Sequence, residues 1–258
     1  MTGDMGDEAA RRDPDVSGPR GRAVFTGVGA LCETAVRMTG VDGAAAALLT
    51  PRSKLRDLVY ATDPLAQRID ELQFTLGEGP CLDAYSQGRA HLVDDLRHDW
   101  PSQRWPGFVE AAAGVGVEAI FALPISDAGQ PLGVLELYRA TAGPLSKTEL
   151  DAGLACAARA GETVAASWAD YVARAATPTM AADTLALDLT NPDTETGFSR
   201  THVFTASGML AVQMGISPEV ALDRLRGYAF RTGRSIGDVA FDVIGRRLTH
   251  HDLDDGRQ

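Results

Sequence analysis

The sequence predicts a mixed α/β domain, with a mainly antiparallel sheet and helices, followed by a small all-α bundle of three helices. Two apolar segments of strand length are joined by turn-forming residues near the middle of the chain. A long capped helix follows them, and three shorter helices separated by glycines lie near the C-terminal end. Strands before the long helix and only helices after it indicate two folding units.

The predicted N-terminal domain alternates helices with short strands. Apolar residues at helical spacing cover residues 23–38, and Gly40 ends this helix. Residues 44–49 and 54–61 are expected to form a hairpin of two strands. The remaining segments are a helix over 64–74, a strand over 91–93, a helix over 105–113, and strands over 117–125 and 131–138. This order predicts a mixed sheet with its helices on one face.

The last two strands and the helix after them are marked by turn and cap residues. Asp127 and Gly129 give the connecting loop the chemistry of a tight turn, so the two strands should pair antiparallel. Ser146 and Glu149 form an N-terminal capping box, and apolar residues continue from there to about Val172. Because so long a helix extends beyond one small domain, it is a candidate for pairing two subunits.

A glycine-proline motif lies between the first and second halves of this predicted sheet. Residues 73–84 (QFTLGEGPCLDA), together with residues 134–137 (VLEL) in the later hairpin, resemble a GAF sensor domain over about residues 23–170. The resemblance implies a pocket between the sheet and the loops over it, which would take a small molecule that the sequence does not identify. The candidate lining residues are Tyr60, Phe74, Cys81, Leu82, Phe121 and Leu135.

Residues that begin and end helices predict the C-terminal bundle. The first helix, residues 199–214, ends at Gly215. The second begins after the N-cap residue Ser217 and stops at Gly233, and the third begins after the N-cap residue Ser235. Because the connecting loops are only a few residues long, the helices must fold back on one another as a three-helix bundle.

The bundle is basic although the chain is acidic. Residues 198–248 contain seven arginines, no lysine and four acidic residues, a net charge of +3, whereas the whole chain carries −11. A basic module on an acidic body suggests a polyanionic partner for the module. A dimerisation bundle fits the same pattern.

Several residues of the bundle resemble the ANTAR domain, the RNA-binding output domain of bacterial transcription antiterminators. The resemblance spans about residues 198–248 and includes Ala206, Gly208 and the pair Leu225-Arg226. It implies binding to paired hairpins of a leader RNA, which prevents a terminator from forming. Many members have lysine where this chain has Ser207, and that difference removes one phosphate contact. The RNA-binding candidates are Arg200, Thr205, Ser207, Arg224, Arg226, Tyr228, Arg231 and Arg234.

Helix geometry alone supports three of the RNA-binding candidates. Arg224, Tyr228 and Arg231 fall at i, i+4 and i+7 of the second helix, so a planar ring lies between two cations on one stripe. That arrangement suits an RNA base or a pair of phosphates. Alternatively, Tyr228 packs against the first helix and the arginines are solvated. Phe204 occupies a position of the first helix that is otherwise polar. It is either an exposed platform for stacking or, as we favour, a residue that packs between subunits.

The three cysteines, Cys32, Cys81 and Cys156, are too widely spaced for a zinc cluster or a disulfide framework, which fits a reducing cytoplasm. Cys81 lies in the glycine-proline loop, so a redox sensor is one alternative function. A GAF-type methionine sulfoxide reductase is another, but it needs two or three thiols in one pocket. Cys32 and Cys156 are expected on the opposite face of the sheet. We therefore expect no enzyme activity, no cofactor and no metal site.

Two further alternatives concern the bundle. The second and third helices could form a DNA-binding helix-turn-helix, but the third helix has arginines only at its end, at Arg246 and Arg247, where base edges are out of reach. The bundle could also be a protein-interaction module. RNA is preferred over both.

The expected organisation is a tail over residues 1–22, a GAF-like domain over 23–173, a linker over 174–197, the ANTAR-like domain over 198–248 and a tail over 249–258. No apolar stretch is long enough to span a membrane, and the first 22 residues lack the apolar core of a signal peptide. We expect a cytoplasmic homodimer that binds hairpin RNA and a small-molecule ligand, without membrane contact.

Overall fold

The computed structural model describes residues 27–49, 56–174, 177 and 200–254. The predicted tail over residues 1–22 lies outside these residues, as does most of the predicted linker. In the N-terminal domain the elements are α1 (Val28–Thr39), β1 (Gly43–Leu49), β2 (Arg56–Ala61), α2 (Pro64–Leu76), α3 (Pro80–Gln87), β3 (His91–Val93), α4 (Asp99–Arg104), α5 (Pro106–Gly114), β4 (Ala119–Asp127), β5 (Gln130–Arg139) and α6 (Lys147–Arg174).

The strands form one antiparallel sheet in the order β2-β1-β5-β4-β3. The hairpin of β4 and β5 confirms the predicted pairing, because Asp127 lies opposite Gln130 across a two-residue turn. The central residues of that turn, Ala128 and Gly129, have φ values of 44° and 77°. Positive φ at both positions is what a type I′ turn requires. The sheet therefore follows the turn chemistry of the sequence.

Helices cover both faces of the sheet, so the expectation of helices on one face was wrong. The helices α1 and α6 pack on one face, and α2, α3 and α5 pack on the other. Along β4, Phe121 and Leu123 contact the first group, whereas Ile120 and Ala122 contact the second. A strand that is buried on both sides has a continuous apolar sequence instead of an alternating one, and β4 (AIFALPISD) has this form.

The long helix α6 begins where the capping box predicts. The backbone N–H of Ser146 donates to the Glu149 carboxylate at 2.7 Å, and the Glu149 N–H donates to Ser146 Oγ at 3.3 Å. Further along, Gly161 lies directly against the backbone of Ser126 in β4, where an added Cβ would collide with the carbonyl oxygen. This glycine allows α6 to lie close to the sheet.

The C-terminal bundle comprises α7 (Thr201–Met214), α8 (Pro218–Thr232), α9 (Ile236–Ile244) and a short α10 (His250–Asp254). The predicted N-caps are confirmed, since Ser217 Oγ accepts from the Val220 N–H and Ser235 Oγ accepts from the Asp238 N–H. The helix α10 lies within the segment expected as a tail, and its Leu253 is buried in the bundle core. Within the described ranges, no helix is both long and apolar enough to cross a bilayer.

Candidate functional site

The six candidate lining residues do not surround a common cavity in this structure. Phe121 and Leu135 lie in the apolar core between the sheet and the α1–α6 layer, and Tyr60 packs against the same core. Cys81 and Leu82 lie on the opposite face of the sheet, in the cluster that α3 forms with β4 and β5. The sixth residue, Phe74, belongs to the core cluster of the C-terminal bundle.

Tyr60 has a structural environment of its own. Its hydroxyl donates to Glu33 Oε1 on α1 at 2.8 Å, and its ring lies over Gly29. Partial burial, together with the hydrogen bond to Glu33, raises the pKa of Tyr60 to about 12. The phenol therefore stays neutral at physiological pH and connects β2 to α1.

On the α2 side of the sheet, the glycine-proline motif is organised around the amide of Gln73. Gln73 is fully buried, its Nε2 donates to the carboxylate of the buried Glu136 on β5, and its Oε1 accepts from the Cys81 N–H at 2.9 Å. One amide thus connects α2, the start of α3 and a central strand. We call Gln73, Glu136 and the Cys81 backbone N–H the interior polar network.

The loop of the motif must pass very close to this amide. Gly79 has a φ of 136°, and a Cβ there would lie 2.5 Å from Gln73 Cγ. Only glycine fits both the backbone conformation and the available space. The next acidic residue, Glu78, accepts the Phe108 N–H at 2.9 Å and so fixes the loop to α5. The motif therefore has a clear structural function in this chain.

The cysteines are fully or nearly buried and lie on two sides of the sheet. Cys32 and Cys156 share the core beside α1 and α6, whereas Cys81 lies on the α3 side. Burial raises the pKa of Cys32 to about 12 and also raises the pKa of Cys156. A sulfoxide reductase that uses several converging thiols needs a different arrangement from this one.

We expect no cysteine to react with Ellman's reagent in the native protein at pH 8 within minutes, and three to react after denaturation in guanidinium chloride. The reason is that Cys32 and Cys81 are 0% exposed and Cys156 is 7% exposed, and burial suppresses thiolate formation. The measurement is the absorbance of the released thiolate. A single rapidly reacting native thiol that is absent from Cys81→Ser would instead support the redox-sensor alternative.

The C-terminal bundle contacts α2 through residues that the sequence assigned to RNA binding. Arg200 is only 2% exposed and forms an ion pair with Asp70, which is 0% exposed. The Arg200 guanidinium lies 4.3 Å from the centre of the Phe74 ring. Arg226 Nε donates to the Phe74 carbonyl at 2.9 Å, and the Phe204 ring packs edge-on against Phe74 at 5.9 Å.

The other candidates divide between the interior and the outer surface of the bundle. Ser207 is buried, and its hydroxyl donates to the Val203 carbonyl at 2.8 Å. Arg234 forms an ion pair with Asp242 at 2.5 Å. Thr205 and Arg231 are exposed.

The sequence left open whether Tyr228 lies beside arginines on an exposed stripe or packs inside the bundle, and its surroundings show a feature of each. It is half-buried against the bundle core, and the Arg231 guanidinium lies 5.4 Å from the centre of its ring. Arg224, at the other end of the predicted stripe, is also half-buried. The stripe is therefore partly exposed along the outer side of α8.

The sequence analysis missed Asp70 and Glu136, both of which are buried acids. A signal for Asp70 was present, because Asp70 and Gln73 are polar residues that follow Ala66 and Ile69 on the apolar stripe of α2. Polar side chains at such positions need buried partners. The partners are 130 and 63 residues away in sequence, so local patterns do not identify them. Among the described residues, no cluster of three or more histidine, cysteine or acidic side chains could hold a metal ion.

Two family models match separate parts of the chain. The model of the GAF domain matches residues 28–165. The model of the ANTAR domain matches residues 198–244. Among curated proteins, none matches the sequence significantly.

Solved structures of three bacterial proteins resemble a little over half of the chain. The GAF domain of an Acinetobacter phosphoenolpyruvate-protein phosphotransferase has 13% identity and a TM-score of 0.44, with 57% of this chain and 84% of that chain covered. A GAF domain/HD domain protein from Geobacter sulfurreducens has 13% identity and a TM-score of 0.43, with 57% and 94% covered. A free methionine-R-sulfoxide reductase from Neisseria meningitidis, in complex with its substrate, has 17% identity and a TM-score of 0.43, with 56% and 79% covered.

Proposed function

Because the chain belongs to the GAF domain family and also carries an ANTAR domain, we propose that it is a signal-responsive antiterminator that binds paired RNA hairpins. The GAF domain would sense a small molecule or a redox change, and the ANTAR domain would bind the leader transcript. The observation that carries this proposal is the match of residues 198–244 to the ANTAR domain. The segment 198–248, which excludes α10, carries a net charge of +3, and this supports a polyanionic partner.

The outer side of α8 offers the chemistry that RNA binding needs. Arg231 is exposed beside the half-buried Tyr228, and Arg224 lies one turn before that ring. Guanidinium groups bind phosphates, and an aromatic ring can stack on an unpaired base. A redox signal through Cys81 is less well supported than a small-molecule signal, since this thiol is fully buried.

The proposal includes a homodimer, because two bundles can bind two adjacent hairpins with greater avidity than one. The helix α6 is the candidate dimer element. It has 28 residues, and its Leu154 and Trp168 side chains are 39% and 37% exposed. Exposed apolar side chains on a long helix suit packing against a second copy.

The test is fluorescence anisotropy of the full chain with a leader RNA containing two hairpins, a single-hairpin RNA and duplex DNA of equal length, at two salt concentrations. We expect preference for the two-hairpin RNA. The double variant Arg224→Ala with Arg231→Ala should weaken binding at least about ten-fold and reduce the salt dependence, because each lost phosphate contact lowers the slope by about 1.

The control is Arg89→Ala, which removes a positive charge from an exposed position in the loop between α3 and β3, outside both the bundle and α6. It should leave RNA affinity unchanged. Equal affinity for DNA and RNA would favour the helix-turn-helix alternative. Absence of nucleic-acid binding at low salt would contradict the proposal and favour a protein-interaction module.

A further inference from the structure

The two domains are joined by a contact with an unusual composition. Its centre is the Phe74 ring of α2, which lies near the guanidinium groups of Arg200 at 4.3 Å and Arg226 at 5.5 Å. Asp70, one turn earlier on α2, forms the buried ion pair with Arg200. We call these four residues, together with Phe204, the interdomain contact. Two arginines from the bundle are thus held by a carboxylate, a carbonyl and an aromatic ring.

The groups of α2 that hold the two arginines resemble the groups that a nucleic acid offers to an arginine. A carboxylate replaces a phosphate as the anion for a guanidinium, and a phenylalanine ring offers the planar surface that a base would offer. Arg200 is nearly fully buried while it binds Asp70, so it cannot contact RNA in the same state. Arg226 is also engaged, with its Nε bonded to the Phe74 carbonyl.

We propose that this structure is a self-inhibited state, in which α2 of the GAF domain occupies the face of the bundle that contacts RNA through Arg200 and Arg226. The inference rests on the proposed function, because it assumes that these two arginines are RNA contacts. RNA and α2 then compete for one face. When the bundle separates from α2, Arg200 exchanges a buried carboxylate for a phosphate of the RNA. Because buried ion pairs contribute little net stability, the equilibrium between the α2-bound and RNA-bound states is easily shifted.

The same helix connects the contact to the interior of the sensor domain. Asp70, Gln73 and Phe74 are spaced by three and four positions on α2, so they lie within one helical turn. Asp70 and Phe74 hold the bundle, and Gln73 holds Glu136 and the Cys81 N–H. A signal that shifts α2 through the interior polar network would also move the residues that hold the bundle. Sensing and release are therefore linked through a single helix.

Solvent reaches the edge of the contact between the two domains. Two crevices open to solvent lie between the domains, with volumes of about 520 and 450 Å³. Phe230 of α8 borders both of them and remains 69% exposed. The bundle also has its own apolar core, formed mainly by α7, α8 and α9. Separation from α2 leaves most of that core in place.

The experiment compares the full-length wild type with Asp70→Asn by RNA anisotropy and by hydrogen exchange of α7 in the absence of RNA. Asp70→Asn removes the charge that holds Arg200 without changing the bundle. We expect the amides of α7 to exchange faster and RNA affinity to rise about ten-fold. Asp70→Ala, which removes the same charge and has a higher helix propensity, should change both quantities in the same direction if Asp70→Asn folds poorly.

The matched control is Asp151→Asn, which makes the same chemical change at an exposed acid of α6 whose described ion-pair partner is Lys147 of the same helix. It should match the wild type in both measurements. Faster exchange of α7 without a gain in affinity would overturn the self-inhibition alone. If neither the wild type nor the released variants bind RNA, the proposed function fails as well, even where exchange reports release.

Discussion

Replacing Gln73 by leucine is expected to lower the free energy of unfolding by about 4 kcal/mol, because the change removes two buried hydrogen bonds at once. The Glu136 carboxylate loses the Nε2 donor, and a hydrogen bond to a charged group contributes about 1.5–3 kcal/mol. The Cys81 N–H loses its Oε1 acceptor, and a buried unsatisfied donor costs about 1–3 kcal/mol. Leucine fills a similar volume but replaces neither bond.

Urea denaturation followed by tryptophan fluorescence measures this loss, since the chain has three tryptophans. Glu136→Gln is the matched variant. It keeps the side-chain volume and an oxygen that accepts from Gln73, so it should lose much less stability than Gln73→Leu. A loss below about 1 kcal/mol for Gln73→Leu would show that the interior polar network contributes little to stability.

Gly161→Val is expected to lower the free energy of unfolding by about 3 kcal/mol through overpacking. The added Cβ would meet the carbonyl oxygen of Ser126, which is backbone and cannot rotate away as a side chain does. The helix α6 would have to move off the sheet, and the contacts of Ala157 and Ala160 with the core would weaken with it. A branched side chain also fits a helix less well than an unbranched one.

The control is Gly227→Ala in α8, where a Cβ would meet no atom within 4 Å. This substitution should stabilise the protein by about 0.5–1 kcal/mol, because alanine has the higher helix propensity. In the same denaturation assay, Gly161→Val should lower the free energy of unfolding and Gly227→Ala should raise it. If Gly161→Val retained wild-type stability, the close approach of α6 to β4 would not be required.

The elements that the sequence predicted correctly depend on nearby residues. Ser146 and Ser235 cap helices by bonding to groups three residues away, and the turn at Ala128 and Gly129 joins adjacent strands. Each feature is complete within a few residues, so a local pattern identifies it. The GAF and ANTAR resemblances rest on such local motifs and agree with the family matches.

The candidate sites were harder to predict because they depend on which face of an element is covered, and by what. Phe121 and Leu135 were chosen as large apolar side chains, yet strand alternation assigns them to the α1–α6 side, away from Cys81. Arg200 was expected on an RNA-binding surface, but its partner Asp70 comes from another domain. Helical periodicity in α7 contains no information about a contact 130 residues away in sequence.

Phe74 also affects where the boundary between the two domains should be placed. It is a residue of the N-terminal domain by sequence and of the C-terminal bundle by packing, where it joins Leu210, Leu225 and Val239 in one apolar cluster. Boundaries of structural modules and boundaries of the hydrophobic core therefore do not coincide in this chain. A fragment that begins after the linker would lack one aromatic of its own core. The bundle should therefore be less stable as such a fragment than it is within the whole chain.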